Sequence, residues 1–149
     1  MKRLAVVLAL VGVVLAGCGG SGRLSKSEYQ QRVQADARPV GQLVTALTKH
    51  PPKTATELIT RLDAAEATVK KSADDLAAAK PPADVDTDNA ALVAGLRKVQ
   101  HALEQVKANP TKATVLIARL ETSPAIKRAE KAIADLKAKG YEVGAFGLP

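Results

Sequence analysis

The sequence predicts an all-α protein, an antiparallel four-helix bundle, and two observations support that prediction. Apolar residues recur at spacings of three and four through most of the chain from residue 24 onward, which is the period of one helix face. Alternating apolar and polar residues, typical of strands, never extend beyond a few positions, and the chain has only three aromatic residues, Tyr29, Tyr141 and Phe146. A three-helix bundle with a loose C-terminal segment is the alternative arrangement.

The first helix is predicted to begin at a capping box, in which the side chains of Ser25 and Glu28 each bond a backbone N–H of the other. Pro39 has no N–H to donate, but the apolar pattern continues in phase beyond it, so we expect a kink there and not an end. The helix is expected to end at His50-Pro51-Pro52. Its apolar face consists of Tyr29, Val33, Ala37, Val40, Val44 and Leu47.

The second helix is predicted to begin at another capping box, Thr54 to Glu57, and to end at Lys80-Pro81-Pro82. Its apolar face consists of Leu58, Leu62, Ala65, Val69, Ala73 and Leu76.

The third helix is predicted to begin between Asp86 and Asn89, where acidic residues complement the positive end of the helix dipole. Gly95 lies beside its apolar face and costs about 1 kcal/mol relative to Ala in a helix. A close helix–helix contact at Gly95 would explain why this cost is tolerated. The face consists of Leu92, Leu96, Val99, Leu103 and Val106.

The last helical segment contains two possible beginnings, Asn109-Pro110 and Ser123-Pro124, each with a capping residue before a proline at the first helical position. We expect either one kinked helix or two helices with a break near Ser123. The segment ends at Gly140, a residue suited to a helix C-terminus, and either Tyr141 or Phe146 is expected to pack back on the helices. Its apolar residues are Leu116, Ile117, Leu120, Ile126, Ala129, Ile133 and Leu136.

The N-terminus has the organisation of an export signal, with a positive start at Lys2 and Arg3 and an apolar run from Leu4 to Ala16. This run is shorter than the roughly 20 residues that a membrane-spanning helix needs. Its end, Leu15-Ala16-Gly17-Cys18, resembles the lipobox of bacterial lipoprotein signal peptides. The resemblance implies cleavage before Cys18, a diacylglyceryl group on the Cys18 sulfur, and a lipid anchor on the extracytoplasmic face of the cell membrane.

These features divide the chain into a signal peptide at residues 1–17, a lipidated cysteine and flexible tether at 18–23, a helical bundle at 24–141, and an irregular tail at 142–149. Removal of residues 1–17 from the 149-residue chain leaves 132 residues, enough for one domain with its own core. It also lowers the formal net charge from +7 to +5, because Lys2 and Arg3 are lost. Cys18 is the only cysteine, so packing without a disulfide must hold the exported domain together.

Two motifs that could support chemistry are each better explained as structure. The run from Asp84 to Asn89 is similar to the first half of a calcium-binding loop, but Asn89 and Gly95 occupy the positions where such a loop needs Gly and Glu. We interpret the run as an acidic helix cap. His101 and Glu104 lie one helical turn apart, but Lys98 stands where a di-iron bundle places Glu. No nucleophile elbow or phosphate-binding loop occurs, so we predict no catalytic residues, no metal and no cofactor.

The last helix is strongly basic, and Lys127, Arg128 and Lys131 are its candidates for contact with the membrane surface. The short tether favours such contact, because charge interactions are screened over about 8 Å at physiological salt. The simpler interpretation is a solvated helix face. No nucleic acid partner is expected for an exported chain that lacks aromatic side chains for base stacking.

A second resemblance lies in Leu24-Ser25-Lys26-Ser27-Glu28-Tyr29, Pro81-Pro82-Ala83-Asp84-Val85, Leu92-Val93-Ala94-Gly95-Leu96 and Leu136-Lys137-Ala138-Lys139-Gly140-Tyr141. In these short motifs, residues 24–141 resemble small alanine-rich helical lipoproteins of high-GC Gram-positive bacteria. The resemblance implies an all-helical exported domain and transfers no functional residues.

The sequence therefore favours a non-catalytic, membrane-anchored interaction or scaffold module of the cell envelope, with an envelope protein or a lipid as its partner. The alternative is a lipoprotein that binds a small ligand or lipid in an apolar pocket opened by the kinks at Pro39 and near Pro124.

Overall fold

The computed structural model describes residues 22–50, 52–144 and 146, and the regular secondary structure of these residues is entirely helical. The all-α prediction is confirmed. Predictions that concern the signal peptide at 1–17 and the lipidated Cys18 lie outside the described residues. Short 3-10 turns, Ala83–Val85 and Pro110–Lys112, precede the third and fourth of five α-helices: α1 (Lys26–Lys49), α2 (Ala55–Ala78), α3 (Asp86–Ala108), α4 (Ala113–Glu121) and α5 (Pro124–Ala138).

The first capping box is confirmed, and the second is half correct. The Ser25 N–H donates to Glu28 Oε2 at 2.8 Å, while the Glu28 N–H donates to Ser25 Oγ at 3.3 Å. Thr54 Oγ1 accepts from the Glu57 N–H at 3.1 Å, but the Glu57 carboxylate accepts from the Lys53 N–H at 2.9 Å. The Glu57 side chain therefore bonds one residue upstream of the predicted position.

The last helical segment consists of two helices, because the helical conformation is interrupted near Ser123. The Ser123 hydroxyl accepts from the Ala125 N–H at 3.3 Å, and Pro124 is the first residue of α5, as its missing N–H allows. The prediction at Asn109-Pro110 is partly correct, since Asn109 occupies the N-cap position and Pro110 the first position of a helical turn, but the Asn109 side chain makes no capping hydrogen bond. Pro110 begins a 3-10 turn, which the Lys112 N–H closes onto the Asn109 carbonyl at 3.0 Å.

Helix α3 lies at the centre of the packing. It packs against α2, α4 and α5, whereas α1 packs against α2. A Cβ built on Gly95 would lie 2.6 Å from the Cβ of Ala129 on α5. The close helix contact predicted at Gly95 is therefore confirmed, and it joins α3 to α5.

The C-terminal residues return to α1 after a sharp turn. Gly140 has a φ of 74°, a conformation that favours glycine, and the Tyr141 N–H donates to the Leu136 carbonyl at 2.9 Å. Tyr141 and Phe146 are both buried, so the prediction that one of them packs back holds for both. The Tyr141 ring meets the Tyr29 ring edge to face, with centroids 5.8 Å apart.

Most of the predicted apolar residues lie in the core. The predicted residues that are only partly buried include Leu58, Val99, Leu103 and Ile133, and the Leu47 side chain lies outside the described part of the structure. Val44 near the end of α1 is 37% exposed, and α4 has no buried residue. A buried polar link joins three helices inside the core, because Asn89 accepts from the Tyr29 hydroxyl and donates to the Leu76 carbonyl, each at 3.0 Å. The predicted core residues that are buried are Tyr29, Val33, Ala37, Val40, Leu62, Ala65, Val69, Ala73, Leu76, Leu92, Leu96, Val106, Ile126, Ala129 and Leu136.

Candidate functional site

The described chain begins at the end of the molecule where α2 finishes and α3 starts. The Arg23 guanidinium lies 2.7 Å from the Asp86 carboxylate, and it donates to the Pro81 carbonyl at 2.8 Å. The Leu24 N–H donates to the Lys80 carbonyl at 2.7 Å. Arg23, the last residue of the predicted tether, is thus bonded to the helices. Any group attached upstream enters at this end.

The basic residues predicted to touch a membrane lie along α5. Lys127, Arg128 and Lys131 are all exposed, and Lys131 forms an ion pair with Asp135 at 2.5 Å. Lys139 follows α5 and donates to Asp88 at 2.7 Å, close to the end where the chain enters. At about 1.5 Å per residue, Lys131 lies about 12 Å along the helix from Lys139. Contact with a membrane at these residues stays a prediction.

The acidic run at the start of α3 bonds to other parts of the fold and not to the free N–H groups of its own helix. Asp86 and Asp88 lie in the first turn as predicted, but Val85 occupies the N-cap position and no described side chain caps α3, so the interpretation as a cap is wrong. Asp84 accepts from the Tyr141 hydroxyl at 3.3 Å, and Asp88 accepts from Lys139. Lys139 also donates to the Asp84 carbonyl at 2.6 Å. These acceptors hold the start of α3 against the end of α5, and the Lys139 pKa is raised, principally by its hydrogen bond to Asp88.

His101 is an exposed helical residue. Its Nδ1 lies 3.3 Å from Glu104 Oε2, and its Nε2 lies 3.1 Å from the Gln105 side-chain nitrogen. Within the described residues, no group of three or more His, Cys, Asp or Glu side chains could hold a metal ion. This pair has the geometry of ordinary neighbours on a helix surface.

Helix α4 exposes two large apolar side chains, of which the sequence pattern assigned Ile117 to the core. Val115 is 54% exposed and Ile117 is 52% exposed, while Leu116 and Leu120 are half-buried. At 3.6 residues per turn, Val115 and Ile117 lie on opposite flanks of Leu116. We call these four residues the α4 apolar surface. Its half-buried centre packs toward α3, and both flanks face solvent.

A groove of about 720 Å³ runs between α1 and α2, and sequence reasoning missed it. We call it the α1–α2 groove. Ser72 joins its two walls, because its hydroxyl donates to the Asp36 carbonyl at 3.0 Å. Among the side chains that line it are Arg32, Asp36, Pro39, Thr68, Lys71 and Asp75.

Asp36 is the unusual residue of the groove. It is only 7% exposed, and no described residue donates a hydrogen bond to its buried Oδ2. Burial, followed by the negative charge of Asp75, raises the pKa of Asp36 to about 6, although Arg32 and Lys71 oppose the shift. Asp75 differs because Lys71 donates to it, and this hydrogen bond lowers the Asp75 pKa. A side-chain hydrogen bond between the Asp36 and Asp75 carboxyl groups, which requires a proton on one of them, also raises the Asp36 pKa and lowers the Asp75 pKa.

The sequence did contain a signal for Asp36. It lies seven residues after Tyr29, three after Val33 and four before Val40, which is the spacing of the buried α1 face. A carboxylate at such a position is rarely buried without a partner. The position of a charged residue within an apolar face could have identified Asp36. The pattern could not show that α2 packs close enough to bury its carboxylate.

No described helix has both the length and the apolar character needed to cross a membrane. Comparisons of the chain with protein-family models, with curated proteins and with solved structures give no match.

Proposed function

We propose that this chain is a lipid-anchored, extracytoplasmic protein of the cell envelope that binds another envelope protein through helix α4 and catalyses no reaction. The anchor is proposed at Cys18, on the lipobox pattern. The single observation that supports binding is the α4 apolar surface, in which Val115 and Ile117 remain about half exposed. The partner is proposed to be a protein with an apolar groove edged by carboxylates.

The proposed scaffold is an antiparallel four-helix bundle in which α4 and α5 together form the fourth element. Contacts of α3 with α2 and α5, and of α1 with α2, support neighbouring antiparallel helices. The proximity of Arg23 to Asp86, and of Lys139 to Asp88, is consistent with α1 and α3 starting at the end where α2 and α5 finish.

The distribution of apolar residues around α4 favours a groove as the complementary surface. A helix with apolar residues on one side only would be covered by α3, but α4 carries them on both flanks of its half-buried side. An amphipathic helix that inserts into an apolar groove of a partner buries such flanks. Arg119 on α4 and Lys112 just before it are both exposed. Carboxylates at the edge of the partner's groove would therefore complement these two positive charges.

The position of α4 in the molecule favours a protein partner over the lipid surface. Helix α3 has 23 residues, which span about 35 Å from the end at Arg23 to the end that leads into α4. The screening length at physiological salt is about 8 Å. If α3 lay perpendicular to a bilayer that held the chain at Cys18, α4 would be several screening lengths away from that bilayer.

The proposal is tested by photo-crosslinking the full chain in intact envelopes. A photoreactive residue replaces Ile117, and a matched control replaces Ala90, an exposed residue near the start of α3. We expect a discrete protein adduct from position 117 that is absent from position 90. Reversal of charge by Arg119→Glu should reduce the adduct severalfold, because it repels an acidic groove edge.

Three results would contradict the proposal. Adducts of position 117 with lipid alone would place α4 on the membrane. An adduct at twice the mass of the chain would make the partner a second copy. An adduct that Arg119→Glu leaves unchanged would exclude an acidic partner groove.

Contact of Lys127, Arg128 and Lys131 with anionic headgroups remains part of the proposal as a secondary site. Replacing the three by Gln should then weaken sedimentation of the chain with anionic vesicles, while leaving the position-117 adduct intact. A loss of both signals would show that these residues belong to the protein-binding surface.

A second candidate function, binding of a small ligand, is favoured by the α1–α2 groove. Pro39 lines this groove, but the lining is mixed polar and apolar, whereas the hypothesis expected an apolar pocket.

A further inference from the structure

The α1–α2 groove contains an acceptor that the fold leaves without a partner. Asp36 Oδ2 is buried, and no described residue donates a hydrogen bond to it. Leaving a buried charged acceptor unpaired costs stability, and native structures rarely tolerate it without a reason. A donor supplied from outside the chain would satisfy this oxygen.

Neighbouring backbone adds a second acceptor. Pro39 has no N–H, so the Ala35 carbonyl lacks the donor that it would receive four residues later in an unbroken helix. Ala35 and Pro39 both line the groove. Together with the Asp36 and Asp75 carboxylates, the groove is rich in acceptors, which a primary ammonium with its three donors complements.

The groove also contains a donor without a partner. The Arg32 guanidinium makes no hydrogen bond or ion pair within the part of the chain that the structure describes, and Arg32 is exposed. Arg32 and Asp36 lie four residues apart on α1, and neighbours at that spacing can pair directly. They do not form an ion pair here, so each remains open to a group of the opposite charge.

Two unpaired groups of opposite sign on one groove wall define the complementary ligand. We propose that the α1–α2 groove binds a small zwitterion, with its primary ammonium at Asp36 and its anionic group at Arg32. Arginine presents a planar fork of donors that matches carboxylate and phosphate oxygens. Because Asp36 Oδ2 is out of contact with solvent, the ammonium reaches it only if a flexible neighbour moves.

This chemistry occurs both in free amino acids and in a lipid headgroup that contains phosphoethanolamine. Both sources present a primary ammonium and an anionic group a few atoms apart. The groove lies beside Leu24, close to the end where the chain enters, so a headgroup is a geometrically reasonable source. The inference is independent of partner binding at α4, which lies at the other end of α3.

The test is a calorimetric titration of the full chain in a non-ionic detergent with O-phosphoethanolamine and with β-alanine. We expect saturable binding of at least one of them. O-phosphocholine is the matched control, because its quaternary ammonium has no N–H to donate, and it should bind at least tenfold more weakly. The absence of saturable binding for both zwitterions at 10 millimolar concentrations, on the order of the weakest specific affinities, would overturn the proposal.

Variants test the two groups separately. Asp36→Asn and Arg32→Gln should each weaken binding at least tenfold, whereas the matched controls Asp74→Asn and Arg38→Gln should leave it unchanged. Asp74 and Arg38 are neighbouring helical charges that do not line the groove. Asp36→Asn removes a buried charge and is not expected to unfold the chain, so loss of binding is separable from loss of structure. Equal binding by Asp36→Asn and the unmodified chain would exclude the assignment.

The source of the ligand is distinguished by repeating the titration in lipid nanodiscs. If the groove takes a headgroup, discs containing phosphatidylethanolamine should weaken binding of the free probe relative to phosphatidylcholine discs. If it takes a free zwitterion, the two kinds of disc should give the same affinity. Both results support a zwitterion site and assign its source.

Discussion

Gly95→Ala tests the close contact between α3 and α5. The new Cβ would lie 2.6 Å from the Ala129 Cβ, whereas carbon atoms in contact are normally about 3.5–4.0 Å apart. Neither Cβ can rotate away, because each is attached directly to a helix backbone. The substitution therefore requires α3 and α5 to separate locally by about 1 Å.

The expected destabilisation is the difference between two opposing effects. Replacing Gly by Ala inside a helix stabilises it by about 1 kcal/mol. Overpacking a close contact costs about 1–3 kcal/mol, and the rigidity of this pair places it in the upper part of that range. We therefore expect Gly95→Ala to lower the free energy of unfolding by about 1–2 kcal/mol, despite its better helix propensity.

Urea unfolding monitored by circular dichroism measures this change, since a domain of this size loses about 1–3 kcal/mol of stability per molar urea. Gly41→Ala is the matched control, because Gly41 also lies inside a helix but lines a surface groove. That control should gain up to about 1 kcal/mol. If Gly95→Ala lowers the free energy of unfolding while Gly41→Ala raises it, the effect at Gly95 comes from packing and not from helix propensity.

A reciprocal exchange tests the contact itself. Adding Ala129→Gly to Gly95→Ala removes the clashing methyl group, so the double variant should recover much of the lost stability. The coupling energy is expected within the roughly 0.5–3 kcal/mol found for residues in contact. If Gly95→Ala proves as stable as the unmodified chain, or if the two substitutions simply add, the close α3–α5 contact is refuted.

Asp36→Asn should stabilise the protein at pH 7 by about 1–3 kcal/mol, since each pKa unit corresponds to about 1.4 kcal/mol. Because the Asp36 pKa is about 6 in the folded chain, the free energy of unfolding of the unmodified chain falls as pH rises from about 4 to 6. Asp36→Asn should abolish this fall, and the control Asp74→Asn should retain it. Ser25→Ala should cost about 1 kcal/mol through its lost cap, measured by thermal unfolding, whereas a comparable loss from Ser27→Ala would show that the cap is unimportant. Asn89→Ala should cost at least about 2 kcal/mol in urea unfolding, because it leaves both the Tyr29 hydroxyl and the Leu76 carbonyl without their partner; a cost below about 0.5 kcal/mol would contradict that role.

Helix bounds and close contacts could be predicted from the sequence because their causes are local. Ser25 and Glu28 form their box through residues three apart, and Pro124 begins a helix because of its own missing N–H. The close contact at Gly95 was also predictable. A glycine weakens an isolated helix, so its presence inside α3 indicates a neighbouring helix too close for a larger side chain. The Asn109 side chain makes no capping bond although it precedes a proline just as Ser123 does, so the local pattern alone does not decide whether a side chain caps.

The α4 apolar surface could not be predicted, because periodicity identifies a helix face without identifying what covers it. Leu116, Ile117 and Leu120 have spacings compatible with a core face, yet Ile117 remains half exposed. Whether such a residue is buried depends on the nine-residue length of α4 and on the break at Ser123, which together limit how far it can pack against α3.

Asp36 and α4 are the two places where the chain departs from the pattern that folds the rest of it. Asp36 places an unpaired carboxylate within a buried helix face, and α4 leaves Val115 and Ile117 in water. Burial of the Asp36 carboxylate and exposure of the two apolar side chains each lower stability, and Arg32 and Lys71 offset the first only in part. If both serve binding, substitutions that repair them should increase stability and decrease binding together. Asp36→Asn and Ile117→Ser should then give more stable or equally stable proteins that fail, respectively, to bind the zwitterion and to crosslink a partner. A variant that gains stability and keeps its binding would identify that departure as incidental to function.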